Sequence, residues 1–270
     1  MVEVSIKYKI GVRRFGLINW IGFYTLYKKE VLRFLIVWIQ TIFSPLITTL
    51  LFLAVLSLAI GNNREDILSV SFINFLAPGL IAMQIIQQSF SHSSSTFMIG
   101  KMQGNIVDIL YAPLSPSEVT GAIILSAITR SFLIMIISII TISFFVDLEV
   151  KNYFSLILFA FLSSFILASV GVISGLWAEK FDHMATITNF IVVPLSFLSG
   201  TFYSISKLPE ILQTISKLNP FFYMIDGFRY SFIGVSDGSI FFGSAYLTFL
   251  SIFLWFVAYY LYKKGYKIKS

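Results

Sequence analysis

Two ionisable side chains stand inside long apolar runs of the sequence. Arg130 lies near the middle of one run, and His92 lies in the serine-rich stretch SFSHSSST of another. An unpaired charge in the centre of a bilayer costs about 2.5–3.5 kcal/mol on insertion scales, so a buried arginine requires a partner. That partner is either an anionic substrate or lipid, or backbone carbonyls and a facing helix. Both residues are therefore candidates to line a pathway.

The serines around His92 leave two interpretations open. Their hydroxyls could line a polar vestibule, or they could bond to backbone carbonyls of their own helix. The runs contain no ladder of Asp, Glu and His that would carry protons or bind sodium. This composition speaks against an ion-coupled carrier.

A third group of polar residues lies in the segment 201–234, where two prolines and several charges interrupt an apolar background. Asp226 and Arg229 are spaced to pair on one helical face. Leu208-Pro209 and Asn219-Pro220 mark the starts of two short amphipathic helices, each too short to cross a bilayer. The pattern predicts a re-entrant helical hairpin over 203–234, with its backbone ends covered by protein.

Motifs of soluble enzyme chemistry are missing from the sequence. It contains no G-x-x-x-x-G-K-[ST] phosphate loop, no H-E-x-x-H, no G-x-S-x-G and no cysteine. Each of these motifs supplies a defined function, namely a phosphate cradle, a zinc site or a nucleophile. We therefore expect no enzymatic activity and no catalytic residue. We also expect that this chain binds neither a metal nor a cofactor.

The composition is that of a polytopic membrane protein. Of 270 residues, 57% are hydrophobic and only 12% are charged. A helix needs about 20 mostly apolar residues to cross the hydrocarbon core. Six segments meet this requirement: 34–60, 72–97, 119–146, 153–177, 184–202 and 241–262. The sequence thus predicts an all-α integral membrane protein with six transmembrane helices, the hairpin lying between helices 5 and 6.

The distribution of Lys and Arg predicts the orientation. Thirteen of the 19 basic residues flank the side that carries both termini, five flank the other side, and Arg130 lies within a span. Basic residues concentrate in cytoplasmic flanks. We expect a cytoplasmic N-terminus over 1–33, a transmembrane domain over 34–262 and a basic cytoplasmic tail over 263–270. Since topology accounts for the positive charge, nothing supports a nucleic-acid partner.

An amphipathic segment precedes the first span. One helical face carries apolar and aromatic side chains: Leu17, Trp20, Ile21, Tyr24, Tyr27 and Val31. Lys28, Lys29 and Arg33 crowd the last turns. This pattern predicts a helix in the cytoplasmic interface. It serves either as a simple topogenic anchor or also as a docking site for a partner.

The connection between the second and third spans, GKMQGNIVDILYAPLSPSEVTG, contains a second short helix over 105–111. Ser115, Pro116 and Glu118 predict a capping box that starts the third span. The short helix carries apolar residues that need burial: Ile106, Val107, Ile109 and Leu110. They pack either on their own bundle or in a cleft of another protein.

The combination of these features resembles the permease subunit of ABC-2 type ABC transporters, over essentially the whole chain. The most specific likeness lies in FLSGTFYSISKLPEILQTISKLNPFFYMIDGFRYSFIG, and a second lies in FLAPGLIAMQIIQQSF followed by the connection quoted above. Their order, and the length and topology of the chain, strengthen the match. The chain is most similar to the multidrug-type bacterial export branch.

The resemblance implies partners and roles. Such permeases act as dimers, here expected as a homodimer, with two separate ATP-binding subunits that use the ATP, surrounded by membrane lipids. The likeness places an ATPase-coupling helix at Gly104, Asn105, Ile106, Asp108 and Ile109. An interfacial helix at Trp20, Tyr24, Lys28, Lys29 and Arg33 would contact the same subunit. The outer side would be capped by the hairpin residues Leu208, Pro209, Asn219, Pro220, Asp226 and Arg229.

The leading functional hypothesis is an ATP-driven exporter permease in the bacterial inner membrane, moving an amphipathic, drug-like or lipid-like substrate. An alternative within the class is export of a lipid-linked polysaccharide or glycolipid. A non-transporting membrane scaffold or assembly protein is the alternative from another class, and it predicts no bound ATPase.

Overall fold

The computed structural model describes residues 18–60, 67–68 and 70–268. Predictions that fall on other residues lie outside this description. They concern Leu17 of the amphipathic face, the first part of the cytoplasmic N-terminus, the last two residues of the tail, and part of the basic charge bias, namely Lys7, Lys9, Arg13, Arg14, Arg64 and Lys269.

The described residues form eleven α-helices and no β-strand, which confirms the predicted all-α fold. The helices are α1 Trp20–Ile36, α2 Ser44–Ile60, α3 Phe72–Met102, α4 Ile106–Tyr111, α5 Pro116–Ile142, α6 Tyr153–Trp177, α7 Phe181–Ile187, α8 Val193–Leu198, α9 Glu210–Leu218, α10 Pro220–Ile233 and α11 Ile240–Lys263. Wider π-helical turns join α1 to α2 and α7 to α8, at Ile39–Phe43 and Thr188–Val192.

Five stretches of the described chain are long and apolar enough to cross a membrane. They are Ile39–Ala59, Pro116–Ile142, Tyr153–Trp177, Phe181–Leu198 and Ile240–Lys263. The 31-residue helix α3 is not among them, although its length of about 46 Å suffices. Its polar side chains explain why its hydropathy is lower. The predicted total of six spans therefore stays a prediction, with α3 as the sixth.

Helices α3 and α6 form the centre of the bundle. Gly171 and Gly175 of α6 lie against the backbone of α3: a Cβ at either position would stand 2.7 Å from a carbonyl oxygen, that of Phe90 or of Ser94. Small residues four apart allow two membrane helices to approach this closely. Helices α5, α10 and α11 pack around this pair, so α3 is covered on most sides.

The predicted capping box at the start of α5 is confirmed. The Ser115 hydroxyl accepts from the Glu118 backbone N–H at 3.3 Å, and the Glu118 carboxylate accepts from the Ser115 N–H at 2.7 Å. Pro116 occupies the first helical turn, where its missing N–H leaves no helical bond unmade. The third predicted span thus starts at Pro116 rather than 119.

At the other end of the bundle, the predicted proline break separates α9 from α10. Helix α9 is exposed, with Ile211 and Leu218 each more than 70% accessible. Helix α10 is buried among α3, α6 and α11, and its Phe222 and Phe228 are each 1% exposed. The two helices over 203–234 exist as predicted, whereas their re-entrant placement in a bilayer stays a prediction.

The C-terminal residues return to the C-terminal end of α6. The Lys267 ammonium donates to Glu179 at 2.7 Å, and this hydrogen bond lowers the pKa of the Glu179 carboxyl below its usual value. Lys101 donates to the carbonyls of Leu176 and Ala178, both at 2.7 Å. These contacts hold the ends of α3, α6 and α11 together on one side of the molecule.

Candidate functional site

The start of α1 is joined to the start of α5 through one carboxylate. Glu118 accepts the backbone N–H of Asn19 at 2.7 Å through Oε1, in addition to the N–H of Ser115 through Oε2. The Asn19 amide donates to the carbonyl of Pro113 at 3.0 Å. Because each oxygen of Glu118 is used by a different segment, α1, the α4–α5 loop and α5 form one unit.

The short helix α4 divides its apolar side chains between two surroundings. Ile106 and Ile109 are 6% and 9% exposed and pack into the bundle with Leu26 and Val119. Val107, Leu110 and Tyr111 point outward, Tyr111 being 86% exposed. Packing on the chain's own bundle is therefore confirmed for Ile106 and Ile109, whereas docking of the exposed residues in another protein stays a prediction. We call the exposed set Val107, Leu110 and Tyr111 the docking face.

The remaining residues assigned to the coupling helix surround α4. Gly104 has a φ of +74°, a left-handed conformation that favours glycine. Asn105 donates to Gln103 at 3.1 Å. Asp108 lines a groove of about 370 Å³ between α4 and α1, together with Lys29 of α1. A partner that covers the docking face would also reach this groove.

The amphipathic helix α1 exposes the face that sequence periodicity identified as apolar. Trp20 and Tyr24 are 67% and 61% exposed, and Lys28 and Lys29 are exposed beside them. A neighbouring stripe of Leu26, Glu30 and Phe34 is buried instead, against α5 and α3. The exposed aromatic face is thus free for a membrane interface or a partner.

Arg33 at the end of α1 holds this helix to α3. Its guanidinium donates to Glu30 at 2.8 Å, to Ser95 Oγ at 3.2 Å, to the His92 carbonyl at 3.1 Å and to Thr96 Oγ1 at 2.6 Å. Thr96 in turn donates to Glu30 at 2.9 Å. Glu30 is 2% exposed. This closed hydrogen-bond network attaches the end of α1 to α3, at the centre of the bundle.

A polar cavity of about 710 Å³ lies between the α1–α2 connection, α3 and α5. Seven of its lining side chains come from α3, and five of these are neutral polar residues that recur nearly every turn: Gln84, Gln87, Gln88, Ser91 and Ser95. Residues at such spacings share one helix face. The cavity, which we call the amide cavity, also contains the two candidate pathway residues.

Arg130 reaches the amide cavity from α5. Its Nη2 donates to the Gln88 carboxamide oxygen and, at 3.5 Å, to the Thr41 carbonyl. Its Nε has no hydrogen-bond partner among the described residues, and the side chain is 8% exposed. The guanidinium is therefore buried beside neutral acceptors, and it shares the cavity with a second cation, Arg33.

His92 lines the same cavity, but its ring is held by the protein. Nε2 lies 2.9 Å from Ser126 Oγ, and the ring packs edge-on against Phe34 with centroids 5.6 Å apart. Ser89 and Ser93 bond to backbone carbonyls of α3, at 2.7 Å and 3.0 Å. The serine-rich stretch thus contributes both vestibule lining and internal bonds.

The predicted pair of Asp226 and Arg229 does not form a direct salt bridge, although the two opposite charges still attract each other. No ion pair within 4 Å joins them in the described structure. Asp226 instead accepts the backbone N–H groups of Asp237 and Gly238 at 3.0 Å and 2.9 Å. Arg229 donates to the Gly200 carbonyl at 2.7 Å. Backbone groups of adjoining turns are better placed than the side chain one turn away.

The other hairpin residues shape turns. Leu208 ends a short 3₁₀ turn, its carbonyl accepts from Gln213 at 2.8 Å, and Pro209 precedes α9. Asn219 accepts the Phe221 N–H at 3.1 Å and thereby caps α10, which starts at Pro220. All six hairpin residues therefore stabilise the backbone between α8 and α11.

Two features of the site were not predicted from the sequence. The glutamines of α3 occur in the sequence at spacings of three and four. Glutamine is rare in membrane spans, and this rarity was the available signal. The contact of Glu118 with Asn19 joins residues 99 positions apart, and no local pattern reports such a bond.

The fold and these sites define a helical membrane protein in which a cavity rich in polar side chains and a short, partly exposed helix belong to the same packed unit. Residues 22–233 match the ABC-2 type transporter family. The chain belongs to this family, as the membrane permease subunit of an ABC transporter.

Relatives of known name agree with this assignment. The chain is 31% identical to the inner membrane transport permease YadH of Escherichia coli K12, over 90% of this chain and 93% of YadH. It is 24% identical to nodulation protein J of Neorhizobium galegae, over 81% of this chain and 83% of that protein. The chain is thus a multi-pass inner membrane protein of the transport permease class.

Proposed function

We propose that the chain forms the translocation pathway of an ATP-driven exporter for an amphipathic, drug-like or lipid-like substrate. The observation that carries this proposal is the docking face of α4, an apolar surface on an otherwise bundle-packed helix. Exposed apolar patches rimmed by polar residues mark interaction sites. An ABC-family permease requires an ATP-binding subunit, since this sequence has no phosphate-binding loop.

The contacts support a route from ATP to the cavity. Closure of the ATPase dimer would move α4, and Glu118 would carry that movement to α1 and α5. Arg33 joins α1 to α3 beside the amide cavity, so a shift of α1 would change the width of the cavity. ATP drives the outward-open state only through its higher affinity for the closed ATPase dimer, as any ligand shifts an equilibrium.

The assembly we propose contains two copies of this chain and two ATP-binding subunits, with both termini of the permease in the cytoplasm. The exposed apolar face of α2, with Leu51, Val55 and Leu58 at least 60% exposed, would lie against lipid or the second copy. The charge bias in the sequence supports this orientation.

Export of a lipid-linked polysaccharide or glycolipid is the second candidate. One observation favours it: the amide cavity is lined by Gln84, Gln87 and Gln88, whose carboxamides both donate to and accept from hydroxyl groups. A drug-like apolar substrate would leave several of these amides without partners.

The docking assignment is tested by affinity purification of the tagged chain, followed by mass spectrometry. We expect an equimolar P-loop ATPase with the native chain. Leu110→Asp combined with Tyr111→Asp should lower its recovery at least about tenfold, because hot-spot residues of an interface contribute about 2 kcal/mol or more each.

Phe241→Asp is the control for Tyr111→Asp, since it places one negative charge on an aromatic side chain of similar exposure, 85% against 86%, at the start of α11. It should leave the recovered ATPase unchanged. If the native chain purifies without any ATPase, under conditions that preserve other ABC complexes, the scaffold alternative replaces the permease proposal.

A further inference from the structure

We propose that the amide cavity is a binding site for an anionic headgroup, a phosphate or carboxylate, carried by an amphiphile whose tail lies along the α1–α2 connection. Arg130 is the main ligand of the anion. The role of this site in transport rests on the function proposed above, whereas the existence of the site does not.

The first argument is the balance of charge around the cavity. Arg33 and Arg130 both line it. Arg33 has a counterion, because Glu30 accepts its Nε at 2.8 Å. Arg130 has none: no carboxylate of the described residues lies within 4 Å of it. The cavity therefore carries one uncompensated positive charge, and an anion there removes the penalty of burying it.

The second argument is that every buried carboxylate of the described residues already has hydrogen-bond donors of its own. The buried carboxylates of the described chain are Glu30, Glu118 and Asp226. Glu118 is used by the N–H groups of Asn19 and Ser115, and Asp226 by two N–H groups of the loop before α11. A second copy of the chain brings the same set, equally occupied. None of the buried carboxylates of the described residues is thus left to neutralise Arg130, so an anionic ligand takes this role.

The third argument is unused hydrogen-bonding capacity directed at the cavity. Four buried side-chain atoms in the described structure have no hydrogen-bond partner, and two of them, Arg130 Nε and Gln84 Oε1, belong to cavity residues. Buried polar atoms without partners are rare in folded proteins. An oxyanion would accept from Arg130, and a hydroxyl of the same headgroup would donate to Gln84.

The fourth argument identifies the ligand as an amphiphile. A second cavity of about 550 Å³ adjoins the first and shares Val37, Gln40, Ser44 and Thr48 with it. Its other side chains are apolar and exposed, with Trp38 and Ile39 49% and 66% accessible. A polar chamber that opens onto an apolar groove fits a charged headgroup followed by a hydrocarbon tail.

The test uses the full-length chain in nanodiscs of mixed phosphatidylglycerol and phosphatidylcholine, with native mass spectrometry of the lipid retained. We expect preferential retention of phosphatidylglycerol by the native chain. Gln88→Glu gives Arg130 an internal counterion without removing any side chain that packs. It should lower the retention of phosphatidylglycerol about tenfold or more, because the charge-assisted bond to the headgroup is replaced.

Lys264→Gln is the matched control. It lowers the net charge by one, as Gln88→Glu does, but at an exposed residue after α11. It should leave retention unchanged. If Gln88→Glu folds and retains as much phosphatidylglycerol as the native chain, the proposal is overturned. The same holds if Gln88→Glu alters only the monomer–dimer equilibrium, because the cavity is then an interface between copies.

A second arm distinguishes a lipid headgroup from a free anion. Inorganic phosphate is added to the native chain and to Gln88→Glu in a neutral detergent, and the unfolding midpoint is measured. If phosphate raises the unfolding midpoint of the native chain but not that of Gln88→Glu, the headgroup binds without its tail. If only phosphatidylglycerol raises the midpoint, the tail is required. Either result supports the anion site, and a rise with neither overturns it. ATPase recovery with Gln88→Glu should be unchanged, so failure here is distinct from failure of the permease proposal.

Discussion

Two arginines are buried in the same bundle, and their surroundings differ. Arg229, on the hairpin side, is 1% exposed, donates to the carbonyls of Gly200 and Thr201 at 2.7 Å and 3.3 Å, and stacks 3.8 Å above the ring centroid of Phe75. Arg130 has a carboxamide, a carbonyl at 3.5 Å and a cavity. The first is enclosed by protein, whereas the second is only partly enclosed.

The difference shows how a structural buried arginine can be distinguished from one that binds a ligand. Arg229 donates to two backbone carbonyls after α8 and packs on Phe75, so it holds α10 to that segment, although its Nε, like that of Arg130, has no hydrogen-bond partner among the described residues. Arg130 makes weaker demands on the bundle, since replacing it by a neutral side chain would take the donor only from the Gln88 carboxamide and from the Thr41 carbonyl at 3.5 Å. A buried cation that the fold does not need is a candidate for ligand binding.

Removing each guanidinium tests this comparison, and we expect the larger loss of unfolding free energy at Arg229. Arg229→Gln loses two charge-assisted bonds and the stacking on Phe75, so it should lower the free energy of unfolding by about 3 kcal/mol. Arg130→Gln should change it by less than about 1 kcal/mol. Thermal unfolding in detergent measures both, and equal losses at the two positions would contradict the assigned roles.

Lysine at the same positions sharpens the comparison through a smaller effect. Arg229→Lys cannot serve both carbonyls while stacking on Phe75, so a loss of about 1–2 kcal/mol in unfolding free energy is expected. Arg130→Lys keeps the positive charge and should retain phosphatidylglycerol within about threefold of the native chain. Unfolding midpoints and native mass spectrometry give the two values. Loss of lipid binding in Arg130→Lys with full stability would show that shape, rather than charge, governs the cavity.

Local chemistry made part of this structure predictable. The capping box at Ser115 and Glu118 depends on residues three apart, and it forms as expected. The break at Asn219-Pro220 is likewise local. The span over 153–177 coincides with α6, because an apolar run bounded by an asparagine cap leaves little freedom.

Predictions that depended on partners distant in the sequence fared differently. Periodicity identified Trp20 and Tyr24 as an apolar face of α1, and the structure leaves that face exposed, whereas the bundle buries a second stripe with Leu26 and Phe34 that the pattern did not identify. Asp226 was expected to pair with Arg229, but the folded chain brings Gly238 nearer to it. Hydrophobic pattern alone does not distinguish packing against protein from packing against lipid.

The central claim is that the docking face of α4 receives an ATP-binding subunit. Since the chain has no cysteine, a single Tyr111→Cys variant carrying a photoactivatable cross-linker tests it directly in intact cells, with Phe241→Cys as the matched control. The account predicts a covalent adduct between position 111 and a P-loop ATPase, and none from position 241. Adducts from position 111 only to this chain itself, or to lipid, would contradict it.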